Sequence, residues 1–281
     1  MKYLEWEDLR MHKLNIGMIT CNYFMRIYHN RKPADFNWGN MVSKYRNEFT
    51  RDDFRALAEE IRGLGYDNIE IWEPTFSHFV YTEKDAEDMA QELGGMGFRS
   101  IVYCIGGWGG NDIGSIEKAY RFAKALGSGV VTGCISRPDH DKVLTEADRC
   151  GKKYGLVFAI ENHPEPSIEK PEDVAEIMRK YETVGANLDT GIYNMLGYDV
   201  LSAADLLKDR IYHIHLKDTR KGGNECLPIG EGDAPLTATL KKLRDWGYEN
   251  MVSVEYEYEG DPAPGLTKSM EYIKSILEEK H

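Results

Sequence analysis

Four strand-like apolar runs in the second half of this 281-residue chain each end in a side chain that can bind a metal. They are Glu161 in LVFAIENH, Asp189 in ANLDTG, His215 in IYHIHLKD and Glu255 in MVSVEYE. A single acid after a strand commonly caps the next helix. One such residue on each of four successive strands is what an oxygen-rich metal site at one barrel rim would need. Three carboxylates and one imidazole make a hard donor set, suited to Mn2+, Mg2+ or Co2+, with Zn2+ also accommodated and a soft thiolate metal excluded.

Alternation along a strand extends the constellation. Glu161 shares a face with His163, Asn187 with Asp189, His213 and His215 with Lys217, and Ser253 with Glu255 and Glu257. His163 could then meet a substrate hydroxyl or act as a base, a rim hydrogen bond being its plain alternative. Lys217 could steady a developing oxyanion, or neutralise Asp218 or Glu257. From the second strand, Glu70 and Trp72 point inward, the carboxylate to accept substrate hydroxyls and the indole to form an apolar wall or fill the core. The segment GEGD at 230–233 places Glu231 to buttress the site, unless its glycines report only turn geometry. GGWGG at 106–110 reads as a loop with no phosphate-binding motif after it.

Positioning these groups falls to strands predicted at 14–20, 68–73, 99–105, 129–135, 156–162, 186–190, 211–217 and 251–257, each followed by an amphipathic stretch. Eight βα units predict an α/β fold, a (β/α)8 TIM barrel, with the ligands at the C-terminal ends of the strands. The length suits one domain spanning 1–281. Thr50 and Asp53 form a capping-box pattern, Gly63 and Gly65 stop that helix, and Pro171 suits the first turn of another. Residues 21–49 read as a long loop rich in aromatics, among them Phe24, Phe36, Trp38 and Tyr45. A barrel puts it at the catalytic rim, as a substrate cover, a partner-docking surface or a self-packed loop.

The formal charge of −12, with 47 acids against 35 bases, and the lack of a basic stripe exclude nucleic acid as an expected partner. The opening residues MKYLEWEDLRMHK lack the apolar stretch of a signal peptide or membrane span, so a cytoplasmic protein with no membrane partner is expected. Five scattered cysteines without a C-x-x-C spacing indicate neither disulfides nor a zinc knuckle.

With IENH at 160–163, NLDTG at 187–191, HIHLKD at 213–218, GEGD at 230–233 and VEY at 254–256, the chain resembles the xylose isomerase-like TIM barrels over nearly its whole length, in particular the sugar phosphate isomerase/epimerase group. IEIW at 69–72 matches more weakly. The resemblance implies one divalent ion, often manganese, on Glu161, Asp189, His215 and Glu255, with Glu161 and Glu255 exchanging protons on opposite faces of a keto-sugar through an enediolate. It departs at Ile192, where a ketose epimerase carries histidine. A histidine-poor, acidic chain does not match the DNA-repair branch of the family. The leading expectation is a metal-dependent isomerase or epimerase of a small keto-sugar or polyol derivative. The alternatives are a lyase by the same proton abstraction, like inosose dehydratases or the cleavage of C-glycosides with a small second subunit, and a non-catalytic sugar-binding barrel. A homo-oligomer is also compatible with the chain.

Overall fold

The computed structural model describes residues 14–278, so the reading of residues 1–13 as free of an export signal lies outside it. In chain order, β1 (Asn15–Ile19) leads through a rim segment to α1 (Trp38–Glu48) and α2 (Arg51–Gly63). Then come β2 (Asn68–Trp72), α3 (Glu83–Gly95), β3 (Ser100–Trp108), α4 (Ile113–Ala125), β4 (Val130–Ile135), α5 (His140–Tyr154), β5 (Val157–Glu161) and α6 (Pro171–Lys180). The last third holds β6 (Val184–Asp189), α7 (Thr190–Leu196), α8 (Val200–Leu207) and β7 (Ile211–Leu216), a two-strand flap of β8 (Asp218–Thr219) and β9 (Cys226–Leu227), then α9 (Leu236–Asp245), β10 (Met251–Val254) and α10 (Ala263–Glu278).

Eight of the strands pair in parallel and close in the order β1-β10-β7-β6-β5-β4-β3-β2. The chain is thus a (β/α)8 TIM barrel, and all eight predicted strands are present. Because a closed barrel needs tilted, staggered strands, the metal-ligand candidates climb the rim. Glu161 lies level with Asn187, and Asp189 with His215. His215 in turn lies level with Ser253, two residues before Glu255. Stagger therefore brings residues at different strand heights to one side of the mouth.

The helices begin where local chemistry satisfies their free N–H groups. Thr50 and Asp53 form the expected reciprocal box at the head of α2, and Pro171 opens α6. Gly65, with φ of 92°, turns the chain back into β2. No described helix is long and apolar enough to cross a membrane.

Residues 21–49 depart from the loop expectation. They include a short 3-10 turn at Arg26–Tyr28 and the eleven-residue α1. The side chain of Asn37 caps α1 by accepting the Asn40 N–H at 3.1 Å. Met41 and Tyr45, one turn apart, are buried beneath it, and the Tyr45 hydroxyl donates to the Tyr23 carbonyl at 2.6 Å. Lys, Arg and Asn on the outer face dilute the apolar spacing, which is why composition reads as loop.

Candidate metal centre

At the C-terminal rim, Glu161, Asp189, His215 and Glu255 each offer a donor atom within 4.8 Å of the others, and all four are buried. Local structure aims each atom. Asp189 caps α7 through Oδ1, which accepts the Ile192 N–H at 2.8 Å, so Oδ2 is left for another partner. Capping the helix thus engages one oxygen of this residue and leaves the other available to a ligand role. Asn162 clamps the same turn from β5: its Oδ1 accepts the Asp189 N–H at 2.8 Å and its Nδ2 donates to the Asp189 carbonyl at 3.1 Å. The Gly191 of NLDTG is required because a Cβ there would stand 2.6 Å from Lys217 Cγ.

Three atoms of the cluster, Asp189 Oδ2, His215 Nδ1 and Glu255 Oε2, are buried without a hydrogen bond. An orphaned buried acceptor costs about 1–3 kcal/mol; His215 Nδ1 and Glu255 Oε2 stand 2.9 Å apart, so a shared proton or a cation satisfies both, and Asp189 Oδ2 has no hydrogen bond at all. Four buried carboxylates, Glu70, Glu161, Asp189 and Glu255, face one buried lysine, Lys217, and two histidines, His213 and His215. A divalent cation fits both the donor geometry and the charge imbalance.

Titration behaviour has the same origin. Burial opposes charge on His215, but Glu70, Glu255 and Glu161 outweigh it and hold its pKa well above the imidazole range. Burial and the neighbouring Glu255 and Glu161 raise Asp189 well above the usual carboxylate value, with Lys217 opposing. Glu255 is lowered despite its burial, because Lys217 and His215 stand beside it. Without a metal, protons on His215 and Asp189 thus offset part of the negative charge.

Beneath the cluster lies a layer of hydrogen bonds centred on Glu70, which corrects the expectation that this residue binds substrate. Its side chain is fully buried, with Oε1 accepting from Thr132 at 2.6 Å and Oε2 lying 2.8 Å from His213 Nε2 and 3.0 Å from His215 Nε2. Because strand pleating sets side chains on one face at successive depths, Glu70 sits one layer below Trp72. By accepting Nε2–H it selects the His215 tautomer whose Nδ1 carries the lone pair, with that nitrogen 3.5 Å from Glu161 and 2.9 Å from Glu255.

Above the cluster opens a cavity of about 490 Å3. Glu161, His215, Lys217 and Glu255 line one side, with the exposed His163 at the mouth. Ile19, Trp38, Val42 and Trp72 line the other. Trp72 therefore borders the cavity as expected, held edge-on by Tyr45 at 5.7 Å. Lys217 Nζ lies 2.7 Å from Glu257 and 3.2 Å from Glu255. Of the two carboxylates it was expected to neutralise, Glu257 is engaged. Asp218 instead accepts backbone N–H groups from Gly230 and Gly232 at 2.8 and 2.9 Å.

Glu231 is a second correction. It is half exposed, pairs with Lys268 at 2.8 Å and does not line this cavity. The GEGD glycines wrap their amides around Asp218, and a Cβ at Gly232 would overlap its carboxylate, so this motif serves turn geometry. Sequence reasoning named Trp38 only as one of the aromatics of a rim loop and missed Val42, one turn on along α1. The capping signal at Asn37 followed by that spacing could have found them.

A family model described as xylose isomerase-like TIM barrel matches residues 58–276. Relatives by sequence include an uncharacterised protein of Methanocaldococcus jannaschii, 28% identical over 142 residues, covering 48% of this chain and 47% of that protein. An inosose isomerase of Bacillus subtilis is 29% identical, covering 40% and 44% of the two chains. An inosose dehydratase of Lactiplantibacillus plantarum is 26% identical, covering 48% and 53%. The chain spans about half the length of these relatives. Among solved structures, an L-ribulose 3-epimerase superposes with a TM-score of 0.73 at 13% identity, covering 95% of each chain. A xylose isomerase-like TIM barrel protein from Mycobacterium smegmatis in complex with magnesium gives 0.71 at 14% identity, covering 95% and 97%.

Proposed function

The chain belongs to the xylose isomerase-like TIM barrel family, which includes isomerases, epimerases and dehydratases, and from that membership we propose that it is a divalent-metal-dependent isomerase or epimerase of a keto-sugar or polyol derivative. One observation carries the reading: Glu161, Asp189, His215 and Glu255 are buried with donor atoms within 4.8 Å of one another beside a sugar-sized cavity, and Asp189 Oδ2 has no hydrogen bond. The magnesium-bound neighbour supports a metal of this class. With three carboxylates and one imidazole, Mn2+ is the ion expected, ahead of Mg2+, Co2+ and Zn2+.

When bound, such an ion supplies Lewis acidity toward a carbonyl and the hydroxyl beside it. Glu161, at the end of β5, and Glu255, after β10, face each other across the cluster. Each is placed to take or return the proton on the carbon next to that carbonyl, from opposite sides of the substrate. Lys217, 3.2 Å from Glu255, holds positive charge where the substrate oxygen gains negative charge. Burial works against that charge, but Glu255, Glu257 and Asp189 keep the Lys217 pKa well above its ordinary value. Trp72 provides the flat wall, and His163 at the mouth reaches a substrate hydroxyl.

A dehydratase reading uses the same proton abstraction, with His163 protonating a hydroxyl that departs from the next carbon, and the inosose dehydratase relative favours it. Incubating the manganese-loaded protein with a panel of keto-sugars in deuterated water separates the two. The isomerase reading expects deuterium at the carbon next to the carbonyl and an isomeric product. An unsaturated product with no isomer would replace it with the dehydratase, and neither exchange nor product on any sugar would remove both.

A further inference from the structure

Beside the central cavity, on the β10 side of the rim, lies a groove of about 840 Å3. The two spaces share Glu257 as their common wall. That side chain is itself partly exposed and bound to Lys217. Each space alone falls within the ~300–1,000 Å3 that holds a complete small ligand. A single keto-sugar needs only the first.

The groove has a distinct chemistry. Tyr256 and Tyr258 stack along it with ring centroids 5.6 Å apart and planes within 4°. Gly265 at the head of α10 lets Tyr256 lie flat, since a Cβ there would overlap the ring. Tyr258 is 47% exposed, so it offers the groove a rigid apolar surface with a polar edge. Around this pair stand the acids Glu225, Glu231, Glu259 and Asp261. The one cation among the described lining residues is Lys268, already held by Glu231 at 2.8 Å. In the central cavity, Lys217 is likewise taken up by Glu257 and Glu255. Neither space presents an uncommitted lysine or arginine for a phosphate.

We propose that the substrate is an unphosphorylated two-part molecule, a keto-sugar carrying a second ring, with the sugar over the donor cluster and the second ring against the exposed Tyr258, which the buried Tyr256 backs. This rests on the reading of the central cavity as a keto-sugar site and specifies its substrate. The second ring is an uncharged group with an apolar face, either a further sugar or an aromatic aglycone, because both can lie against a tyrosine and neither meets the repulsion an anion would meet among these acids.

The test is calorimetric binding to the manganese-loaded protein of the methyl, 4-nitrophenyl and glucosyl glycosides of one 3-oxo-hexose, with deuterium exchange followed on the same samples. One or both two-ring ligands should bind about tenfold more tightly than the methyl glycoside, as stacking on an exposed tyrosine allows. Tyr258→Ala should bring that ratio toward one, and the 6-phosphate of the methyl glycoside should bind no more tightly than its parent. Equal binding of all three glycosides, an advantage that persists in Tyr258→Ala, or a preference for the phosphate would overturn the proposal. The aryl and glucosyl arms identify the ring. Exchange reports separately on the proton-transfer reading, so the binding ratio decides this inference even if no ligand exchanges.

Discussion

The two halves of the barrel mouth are made of opposite materials. The β5 to β10 half carries Glu161, Asp189, His215, Lys217 and Glu255, all buried and charged or chargeable. Facing it, β1, β2 and the α1 segment contribute Ile19, Trp38, Val42 and Trp72, which offer shape and no charge. Stability and reactivity therefore diverge across the cavity. The charged half is held in an electrostatically costly arrangement that the proposed cation would relieve. The apolar half is held by ordinary packing, with Trp38 stacked on Phe24 at 5.0 Å and Trp72 against Tyr45. Substitutions on the first half should change chemistry, and on the second mainly substrate selection.

The largest effect is expected for Glu161→Gln and Glu255→Gln, which keep the shape of the charged half but remove proton exchange. A loss of about 10²–10⁴-fold in kcat is expected for each, measured as deuterium incorporation. Retained turnover in both would mean that the halves do not divide chemistry from selection.

Lys217→Ala leaves Glu255, Glu257 and Asp189 without their cation. Truncating one member of a buried charged network costs about 3–5 kcal/mol. Thermal melts of the metal-free protein should show that loss, partly restored by Mn2+. A melting temperature equal to that of the wild type would remove electrostatic strain from the description of this half.

Glu70→Gln refines the comparison, since Glu70 lies below both halves and, of the four clustered donors, contacts His215 from the rear. Weakening the partner that orients a ligand imidazole typically lowers metal affinity by about 10–100-fold. Chelator competition measures this, and a kcat effect at saturating metal far larger than the affinity loss would instead make Glu70 a direct participant.

The pH dependence has a defined sign. Because the His215 pKa is raised in the fold, its proton stabilises the metal-free protein below the ordinary imidazole range, and that contribution is lost as pH rises through the raised value. Metal binding must displace the same proton, so the gain in Tm from Mn2+ should grow from about pH 6 to about pH 8. A gain that shrinks with pH would contradict this.

The smallest effect belongs to the apolar half. Trp38→Ala, at a half-exposed position, should raise KM by about tenfold or less, in keeping with the loss of one partly exposed aromatic contact, and leave metal affinity unchanged.

What could be read in the chain follows the same division. The grouping at the strand ends was legible because strand periodicity and barrel topology together decide where an inward residue at a strand's C-terminal end must lie, so Glu161, Asp189, His215 and Glu255 could be placed together before any coordinates. Depth was not legible. Glu70 and Trp72 share a face and differ by one pleat, and only the stagger of neighbouring strands puts one under the cluster and the other beside the cavity. Loop return was not legible either. Glu231 follows the same strand as Lys217, yet the amides of Gly230 and Gly232 turn that loop around Asp218 and carry the carboxylate to Lys268. The apolar wall from α1 depends on a helix whose outer face is polar, and its spacing was hidden by composition.

Equilibrium dialysis against Mn2+ with metal analysis, on the wild type and on the Asp189→Asn/Glu255→Gln double variant, addresses the charged half itself. One tightly held ion per wild-type chain and none in a folded double variant is the predicted result. A wild type that takes up no ion, or a double variant that still holds a full equivalent, would show that these four side chains are not a metal centre.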